Sequence, residues 1–229
     1  MFIVIEGLDG SGKSTQLSLL QEYLRAQDTA FEYLHFPRLD TPLWGDMIAR
    51  FLRGEFGDNH SVNPYLVALI YACDRNDAKT MISQWLKDGK LVILDRYVNS
   101  NIAYQCAKLP SKEEKTKLMN WILHLEYEYN KLPAPALNLF LDVPFRFTEQ
   151  KLTSQRQGDD RNYLHGVKDI HEDDLNFQRN VREAYLMFAQ NDTRCRIVNC
   201  SDGKDNMLAP HDIFEKILSI LKTEKIVKP

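Results

Sequence analysis

Residues 6–15 read EGLDGSGKST, a glycine-rich stretch that ends in Lys-Ser-Thr. The apolar run Phe2–Ile5 comes before it, and a helical pattern, Lys13–Gln27, follows it. The spacing G-x-x-x-x-G-K-S between a strand and a helix is typical of a P-loop, whose backbone N–H groups turn inward around phosphate oxygens. The stretch therefore predicts a nucleotide site in which Lys13 reaches the β- and γ-phosphates and the Ser14 hydroxyl suits Mg²⁺.

A second charged position follows another apolar run and supports the nucleotide site. Leu91–Leu94 leads into Asp95, so that a carboxylate stands at the end of a buried strand. Beside a P-loop such a carboxylate accepts from Ser14 or holds a Mg²⁺ water; the alternative is a strand-end salt bridge. The residues expected to bind ATP are those of the loop itself: Gly7, Leu8, Asp9, Gly10, Ser11, Gly12, Lys13, Ser14 and Thr15.

The composition predicts one globular domain over residues 1–229. A chain of 229 residues is long enough to bury most of its apolar surface in one core. The formal net charge of −3 argues against a nucleic-acid partner, which needs a strongly basic face. No apolar run approaches the ~20 residues that span a bilayer, and the start MFIVIE leaves no room for a leader. The four cysteines lack metal-ligand spacing, so we interpret them as reduced core thiols of a cytoplasmic protein.

Strand and helix patterns alternate along the chain. The predicted strands are Phe2–Ile5, Phe31–Leu34, Leu91–Leu94, Leu137–Leu141 and Arg196–Val198. The predicted helices are Lys13–Gln27, Pro42–Leu52, Pro64–Lys87, Ser111–Tyr129, Asp174–Gln190 and Pro210–Lys222. This order predicts an α/β fold, a three-layer α/β/α arrangement around a five-stranded parallel sheet. Residues 150–174 are polar and lack helical periodicity, and are either a surface loop or a lid.

Three further motifs follow the P-loop in a fixed order: FPR at residues 36–38, YACDR at residues 71–75 and DRYVNSNIAYQ at residues 95–105. Together with the P-loop they closely resemble the thymidylate kinase family, from Met1 to about Tyr185. The resemblance implies a P-loop nucleoside-monophosphate kinase that transfers the γ-phosphate of ATP to dTMP in dTTP biosynthesis. It also implies Mg²⁺ as the cofactor and a homodimer as the assembly.

The acceptor site combines residue chemistry with the resemblance. Tyr71 and Arg75 are four residues apart and share one helix face, which can stack a base and offer a guanidinium to a carbonyl oxygen or a phosphate. The resemblance assigns Tyr71 to thymine stacking and Arg75 to the base edge. It further places Asp9 near the acceptor sugar and Mg²⁺, and Arg38 and Arg96 on the monophosphate. It implies that Phe36 and Leu52 form walls of the pocket. The residues along the base and sugar would be Ser100, Asn101, Tyr104 and Gln105, with Tyr104 crowding the 2′ position.

The sequence departs from the family pattern at two places. Residues 10–12 contain no arginine, although eukaryotic-type members often carry one there and many bacterial members supply that charge from the lid. Arg156 and Arg161, in the polar segment, are the candidates for that charge here. Relatives often have Tyr-Glu after the lid, whereas this chain has His171-Glu172, and we expect Glu172 near the Mg²⁺ or the sugar.

Phosphoryl transfer between two nucleotides needs positioning and positive charge rather than covalent help. The expected catalytic residues are Lys13, Arg96, Asp9, Arg156 and Arg161, and the expected metal ligands are Ser14, Asp95 and Glu172.

A deoxynucleoside kinase is the closest alternative, but Arg38 beside the acceptor pocket favours a phosphate acceptor over a hydroxyl. A nucleotide switch is a second alternative, which would have no use for a second, base-sized pocket. The third and fourth predicted helices carry many apolar residues, including Leu118, Trp121, Ile122 and Leu125 of the fourth, which fit either the core or a dimer interface.

Overall fold

The protein is described from a computed structural model that covers residues 1–153, 159–190 and 192–228, without the side chains of residues 159–161. Five strands form one sheet: β1 (Phe2–Gly7), β2 (Phe31–His35), β3 (Leu91–Asp95), β4 (Leu137–Asp142) and β5 (Cys195–Asn199). Every ladder is parallel and the strand order is β2-β3-β1-β4-β5. The predicted five-stranded parallel sheet is confirmed.

The helices in the described part of the chain are α1 (Lys13–Ala26), α2 (Trp44–Leu52), α3 (Pro64–Lys87), α4 (Val98–Cys106), α5 (Lys112–Leu123), α6 (Phe145–Thr153), α7 (Leu175–Ala189) and α8 (Pro210–Thr223). A π-helical turn, His124–Tyr129, continues α5, and a 3₁₀ helix covers Asp159–Leu164. None of the described helices has both the length and the apolar composition needed to cross a bilayer.

The two faces of the sheet carry separate hydrophobic clusters. Along β1, Phe2 and Val4 pack with side chains of α3, α4, α5 and α7, whereas Ile3 and Ile5 pack with α1 and α8. Successive side chains of a strand point to opposite faces, so a strand covered on both sides is apolar throughout. This packing explains why the inner strands β1, β3 and β4 are buried almost throughout and lack polar alternation, and it confirms the three layers. All four cysteines are free thiols, and Cys106 and Cys200 are buried as expected.

Two helices were not predicted from the sequence, and both lie beside the site. Eight of the nine residues of α4 are buried, including Ser100, Asn101 and Gln105. A helix with no solvent-facing side has no amphipathic period, so α4 gave no helical signal. Helix α6 extends to Thr153, so the polar segment 150–174 begins inside a helix rather than in a loop.

The predicted helix Ser111–Tyr129 changes character at His124. Its start is confirmed, because the Ser111 hydroxyl accepts from the Glu114 backbone N–H at 3.2 Å. After Leu123 the backbone widens into the π-helical turn, in which Glu126 is buried. Of the apolar residues considered for a dimer interface, Leu118 and Ile122 are fully buried in the core.

Lys108, just after α4, has an ammonium group buried against the Phe51 ring, 4.7 Å from its centroid. Within the described residues this ammonium has no hydrogen-bond partner. Burial lowers the pKa of Lys108 from 10.5 to about 7, because the charged form loses its hydration.

We therefore expect the stability of the protein to rise with pH between about 7 and 10.5, where the unfolded chain binds the Lys108 proton and the folded one does not. Lys108→Met should remove this dependence and be the more stable protein at pH 7, with the difference shrinking toward pH 10. Urea unfolding across that range measures it, with Lys87→Met on exposed α3 surface as control. A constant difference between wild type and Lys108→Met would contradict it.

Candidate active site

A cavity of about 640 Å³ opens at the carboxyl ends of β1, β2 and β3. Ligands of parallel α/β sheets bind at this edge, where the loops after the strands converge. The cavity brings together most of the residues singled out in the sequence: Asp9, Gly10, Ser11, Gly12, Lys13, Ser14, Phe36, Leu52, Tyr71, Arg75, Asp95, Arg96, Ser100, Asn101, Tyr104, Gln105 and Glu172. Three of the expected ATP-binding residues lie outside its wall: Gly7 ends β1, Leu8 is buried in the core and Thr15 is exposed on α1.

The loop between β1 and α1 has the conformation that its glycines permit. Gly10 and Gly12 have φ values of 72° and 82°, in the left-handed region that other residues rarely adopt. Lys13 donates to the carbonyl oxygens of Leu8 at 2.8 Å and Gly7 at 3.3 Å. Burial, followed by the nearby Arg96 guanidinium, lowers the pKa of Lys13 to about 8. Phosphate oxygens that approach this buried ammonium would stabilise its charged form.

Arg96 connects the loop to the rest of the cavity. Its φ of 66° lies in the left-handed region, a costly conformation for a non-glycine residue that is concentrated at functional sites. One terminal nitrogen, Nη2, donates to Asp9 Oδ1 at 2.6 Å and to the Tyr104 hydroxyl at 3.1 Å. The other, Nη1, donates to Ser100 Oγ at 3.2 Å. One guanidinium therefore touches both the P-loop and α4.

Asp9 is ionised within this network. Besides Arg96, its carboxylate accepts from the Tyr104 hydroxyl at 2.7 Å and from Gln178 Nε2 at 3.1 Å. Burial raises the pKa of Asp9, but the charges of Arg96 and Lys13 outweigh that effect and hold the pKa well below its usual range.

Asp95 makes a different contact from the one predicted. His35 Nδ1, rather than Ser14, lies 2.9 Å from Asp95 Oδ2, and this contact is a salt bridge only when His35 is protonated. Burial works against the charge of Asp95, yet hydrogen bonding to His35 lowers its pKa. The buried Oδ1 has no partner among the residues that the structure covers.

The oxygen donors beside the loop fit Mg²⁺ bound together with a nucleotide. Mg²⁺ takes one or two carboxylates and completes its octahedron with waters and substrate phosphates. The orphaned Asp95 Oδ1, the Ser14 hydroxyl and Glu172 all line the cavity. In the described part of the chain, no cluster of three or more His, Cys, Asp or Glu side chains could hold a metal without such phosphates.

The far end of the cavity has apolar and aromatic walls. Phe36 and Leu52 are buried there, and Tyr71 projects from α3. Arg75 also lines the cavity, but its guanidinium is not free: Nε and Nη2 donate to the two carboxylate oxygens of Glu126 at 2.5 and 2.6 Å. The predicted pair on one face of α3 is therefore in place, with Arg75 held rigidly from behind.

Arg38 does not line the cavity in this structure, and its predicted contact with the monophosphate stays a prediction. Its guanidinium donates to Asp74 Oδ1 at 2.8 Å and to Asp77 Oδ2 at 2.7 Å, and its backbone N–H donates to Asp74 Oδ2 at 3.0 Å. Two carboxylates on α3 attract it away from the cavity wall. An arginine next to FP in the sequence does not reveal such competing acids 36 and 39 residues further on.

The segment after the polar stretch closes one side of the cavity. His171 is buried, with its ring centroid 5.1 Å from that of Tyr104 and 5.3 Å from that of Phe177. Burial holds the pKa of His171 well below its usual range, so the ring is neutral and packs as an aromatic one. Of the expected lid arginines, Arg156 and the side chain of Arg161 fall outside the described residues.

Sequence reasoning missed several residues that shape this site. His35 comes from the end of β2, Gln178 from α7 and Glu126 from the π-helical turn. The sequence could have indicated His35, because it directly precedes Phe36-Pro37-Arg38 at the end of a predicted parallel strand, where ligand sites form. Gln178 and Glu126 lie in ordinary helical patterns that gave no such sign.

Comparison with known proteins agrees with this geometry. Residues 5–209 match the family model described as Thymidylate kinase. A probable thymidylate kinase of Pyrococcus horikoshii is 31% identical over 97% of this chain and 96% of its own. The thymidylate kinase of Mycobacterium tuberculosis is 32% identical over 82% of this chain and 86% of its own. A solved structure of thymidylate kinase from Candida albicans superposes with a TM-score of 0.72 at 28% identity, covering 98% of this chain and 92% of that one. This chain belongs to the thymidylate kinase family, a family of ATP-dependent nucleoside-monophosphate kinases.

Proposed function

We propose that this protein transfers the γ-phosphate of ATP to dTMP, producing dTDP and ADP for dTTP synthesis in the cytoplasm. The observation that carries the proposal is the continuity of one cavity, in which the P-loop and a base-sized aromatic pocket share Arg96 and Asp9. A nucleotide switch has no use for the second pocket. We expect no nucleic-acid or membrane partner.

Each end of the cavity holds one nucleotide in this proposal. ATP binds on the P-loop, with Lys13 at its β- and γ-phosphates, and dTMP lies between Phe36, Tyr71 and Tyr104. Arg96, next to Lys13, faces the phosphate of dTMP and the phosphoryl group in flight. The acceptor is already an anion near pH 7, so no general base is required and positioning supplies most of the rate.

Ser14, Asp95 and Glu172 are the residues that we propose to hold Mg²⁺ beside the nucleotide. The metal would supply positive charge to the phosphate oxygens. His35 occupies Asp95 Oδ2, and Oδ1, which has no partner among the described residues, is left for the metal. Asp9, held by Arg96 and Tyr104, is placed toward the acceptor sugar.

The function is tested by ATP consumption with dTMP, dUMP, dCMP and thymidine as alternative acceptors. We expect dTMP to be the best acceptor. Thymidine should be inactive, because it lacks the phosphate that faces Arg96 and because a hydroxyl acceptor needs a general base, a role that we assign to no residue of this site. Phosphorylation of thymidine in preference to dTMP would support the deoxynucleoside kinase alternative instead.

Lys13→Met should abolish transfer while the protein remains folded. The substitution removes the ammonium placed at the β- and γ-phosphates and leaves an apolar side chain of similar length. Steady-state assays and thermal unfolding measure the two properties. Activity within a few-fold of wild type would rule out the P-loop role of Lys13.

Tyr71→Leu should weaken dTMP binding and leave ATP binding unchanged, because only the acceptor base stacks on this ring. Stacking on an aromatic side chain contributes about 1–3 kcal/mol per base, which corresponds to roughly 5- to 150-fold in Kd. Calorimetric titration of both nucleotides measures it, with Tyr129→Leu at an exposed position as control. An equal loss for both nucleotides would show that Tyr71 supports the fold and not the pocket.

We propose that residues 150–174 act as a lid and that Arg156 or Arg161 supplies the charge that the P-loop lacks. Arg156→Ala or Arg161→Ala should then lower kcat much more than it raises KM, because the contact forms mainly in the transition state. Such an arginine contributes roughly 10³–10⁵ in rate in related chemistry. Steady-state kinetics of both single variants and the double variant test this, with Arg146→Ala on α6 as the control. A near-normal kcat in all of them would show that the lid supplies no catalytic arginine and that Lys13 and Arg96 provide the positive charge.

We also propose a homodimer formed through the exposed apolar side chains of α3. Leu66, Leu69 and Met81 are 59%, 40% and 37% exposed on this helix. Leu66→Glu should convert the dimer to a monomer in sedimentation velocity, because it buries a charge in the interface. Ile197→Glu, on the edge strand β5, is the control; a wild-type monomer would refute the proposal.

A further inference from the structure

Glu126 is a charged residue with a fully buried side chain in the π-helical turn His124–Tyr129. A buried carboxylate is costly unless it is ion-paired and fully hydrogen-bonded. Single π-helical turns within α-helices are frequent at functional sites. Glu126 does not itself line the cavity, so any role that it has must pass through the residues it contacts.

Two residues that do line the cavity are bound by Glu126. Arg75 donates to both carboxylate oxygens through Nε and Nη2. Asn101 Nδ2 donates to Glu126 Oε1 at 2.9 Å and to the Ala68 carbonyl oxygen at 3.0 Å. Both amide protons of Asn101 are therefore used within the protein.

These two acceptors determine the orientation of the Asn101 amide. If the amide turned over, Oδ1 would face a carboxylate and a carbonyl oxygen, and both contacts would be repulsive. In the observed orientation Oδ1 is buried and has no hydrogen-bond partner within the described chain. Asn101 lines the cavity, and its one polar side-chain atom left for a ligand is therefore an acceptor, not a donor.

The acceptor selects between pyrimidines. Thymine and uracil carry an N–H group at N3, between two carbonyl oxygens, and this N–H can donate to Asn101 Oδ1. Cytosine has a lone pair at N3 and an amino group at C4. In the same position its N3 acceptor would face the Asn101 Oδ1 acceptor, and its amino donor would face the donors of the Arg75 guanidinium. A site built for one hydrogen-bond pattern strongly rejects the other, because its buried groups are left unpaired.

We propose that Glu126 is a positioning residue that makes the acceptor pocket selective for an imide base over cytosine, by orienting Asn101 and Arg75 from behind. The inference rests on the proposed function, since it deepens the choice of acceptor in that same pocket. A glutamine at this position has one acceptor oxygen and an amide NH2 group. With the oxygen at the Oε1 position, the NH2 group faces the Arg75 Nε–H and that hydrogen bond is lost; with the oxygen at the Oε2 position, the NH2 group faces Asn101 and permits its amide to turn over.

Glu126→Gln tests the inference, with Glu128→Gln as the matched control two residues further on, where the side chain is exposed and paired with His124. Calorimetric titration gives Kd for dTMP, dCMP and ATP, and steady-state assays give kcat/KM for the two acceptors. We expect Glu126→Gln to weaken dTMP about 10- to 100-fold, to leave ATP unchanged and to lower the preference for dTMP over dCMP. Glu128→Gln should match wild type.

Glu126→Asp keeps the charge but shortens the reach, and it should restore part of the preference. It carries the test alone if circular dichroism shows that Glu126→Gln is unfolded. An unchanged dTMP-to-dCMP ratio in the folded variants, or an equal loss for all three nucleotides, would overturn the inference and leave the proposed function intact. Wild-type protein that binds dCMP as tightly as dTMP would overturn both.

Discussion

The hydrogen bond between the Arg96 guanidinium and the Asp9 carboxylate joins the two halves of the site. It exists because β1 and β3 are parallel neighbours with Ile5 opposite Asp95. The Arg96 backbone N–H donates to the Ile5 carbonyl oxygen at 3.0 Å, which places the end of β3 directly beside the start of the P-loop. The left-handed backbone of Arg96 then turns its side chain across the loop toward α4. Phosphate binding and acceptor binding are consequently built on one pair of strand ends.

Behind this contact lie two buried carboxylates with similar tasks. Glu6 accepts from the Ser100 hydroxyl, the Tyr185 hydroxyl and the Tyr97 backbone N–H, and Ser100 in turn contacts Arg96. Glu126 holds Arg75 on α3 and Asn101, the residue after Ser100 on α4, in the same manner. Such supporting networks cost free energy to bury, and they hold the cavity-lining groups within the narrow geometry that transfer requires.

The sequence predicts the sheet and most of the cavity wall, because both depend on local patterns. Apolar runs identify all five strands, and motifs with fixed spacing identify Lys13, Tyr71, Asp95 and Arg96. What it does not predict depends on tertiary partners. Helix α4 is invisible to periodicity since it is buried on every side, and the partners of Arg38 and Arg75 lie on distant elements. The burial of Glu126 likewise depends on partners that lie on other elements, Arg75 and Asn101.

The central claim is that the P-loop and the aromatic pocket are two subsites of one cavity, aligned for direct transfer. A ligand with adenosine and thymidine joined 5′ to 5′ through a chain of phosphates tests it most directly. If both subsites are filled at once, the second half binds at a high effective concentration, and the linked ligand should bind at least about 100-fold more tightly than ATP or dTMP. Tyr71→Leu and Lys13→Met should each reduce that affinity. An affinity no greater than that of ATP alone, unaffected by Tyr71→Leu, would contradict the account.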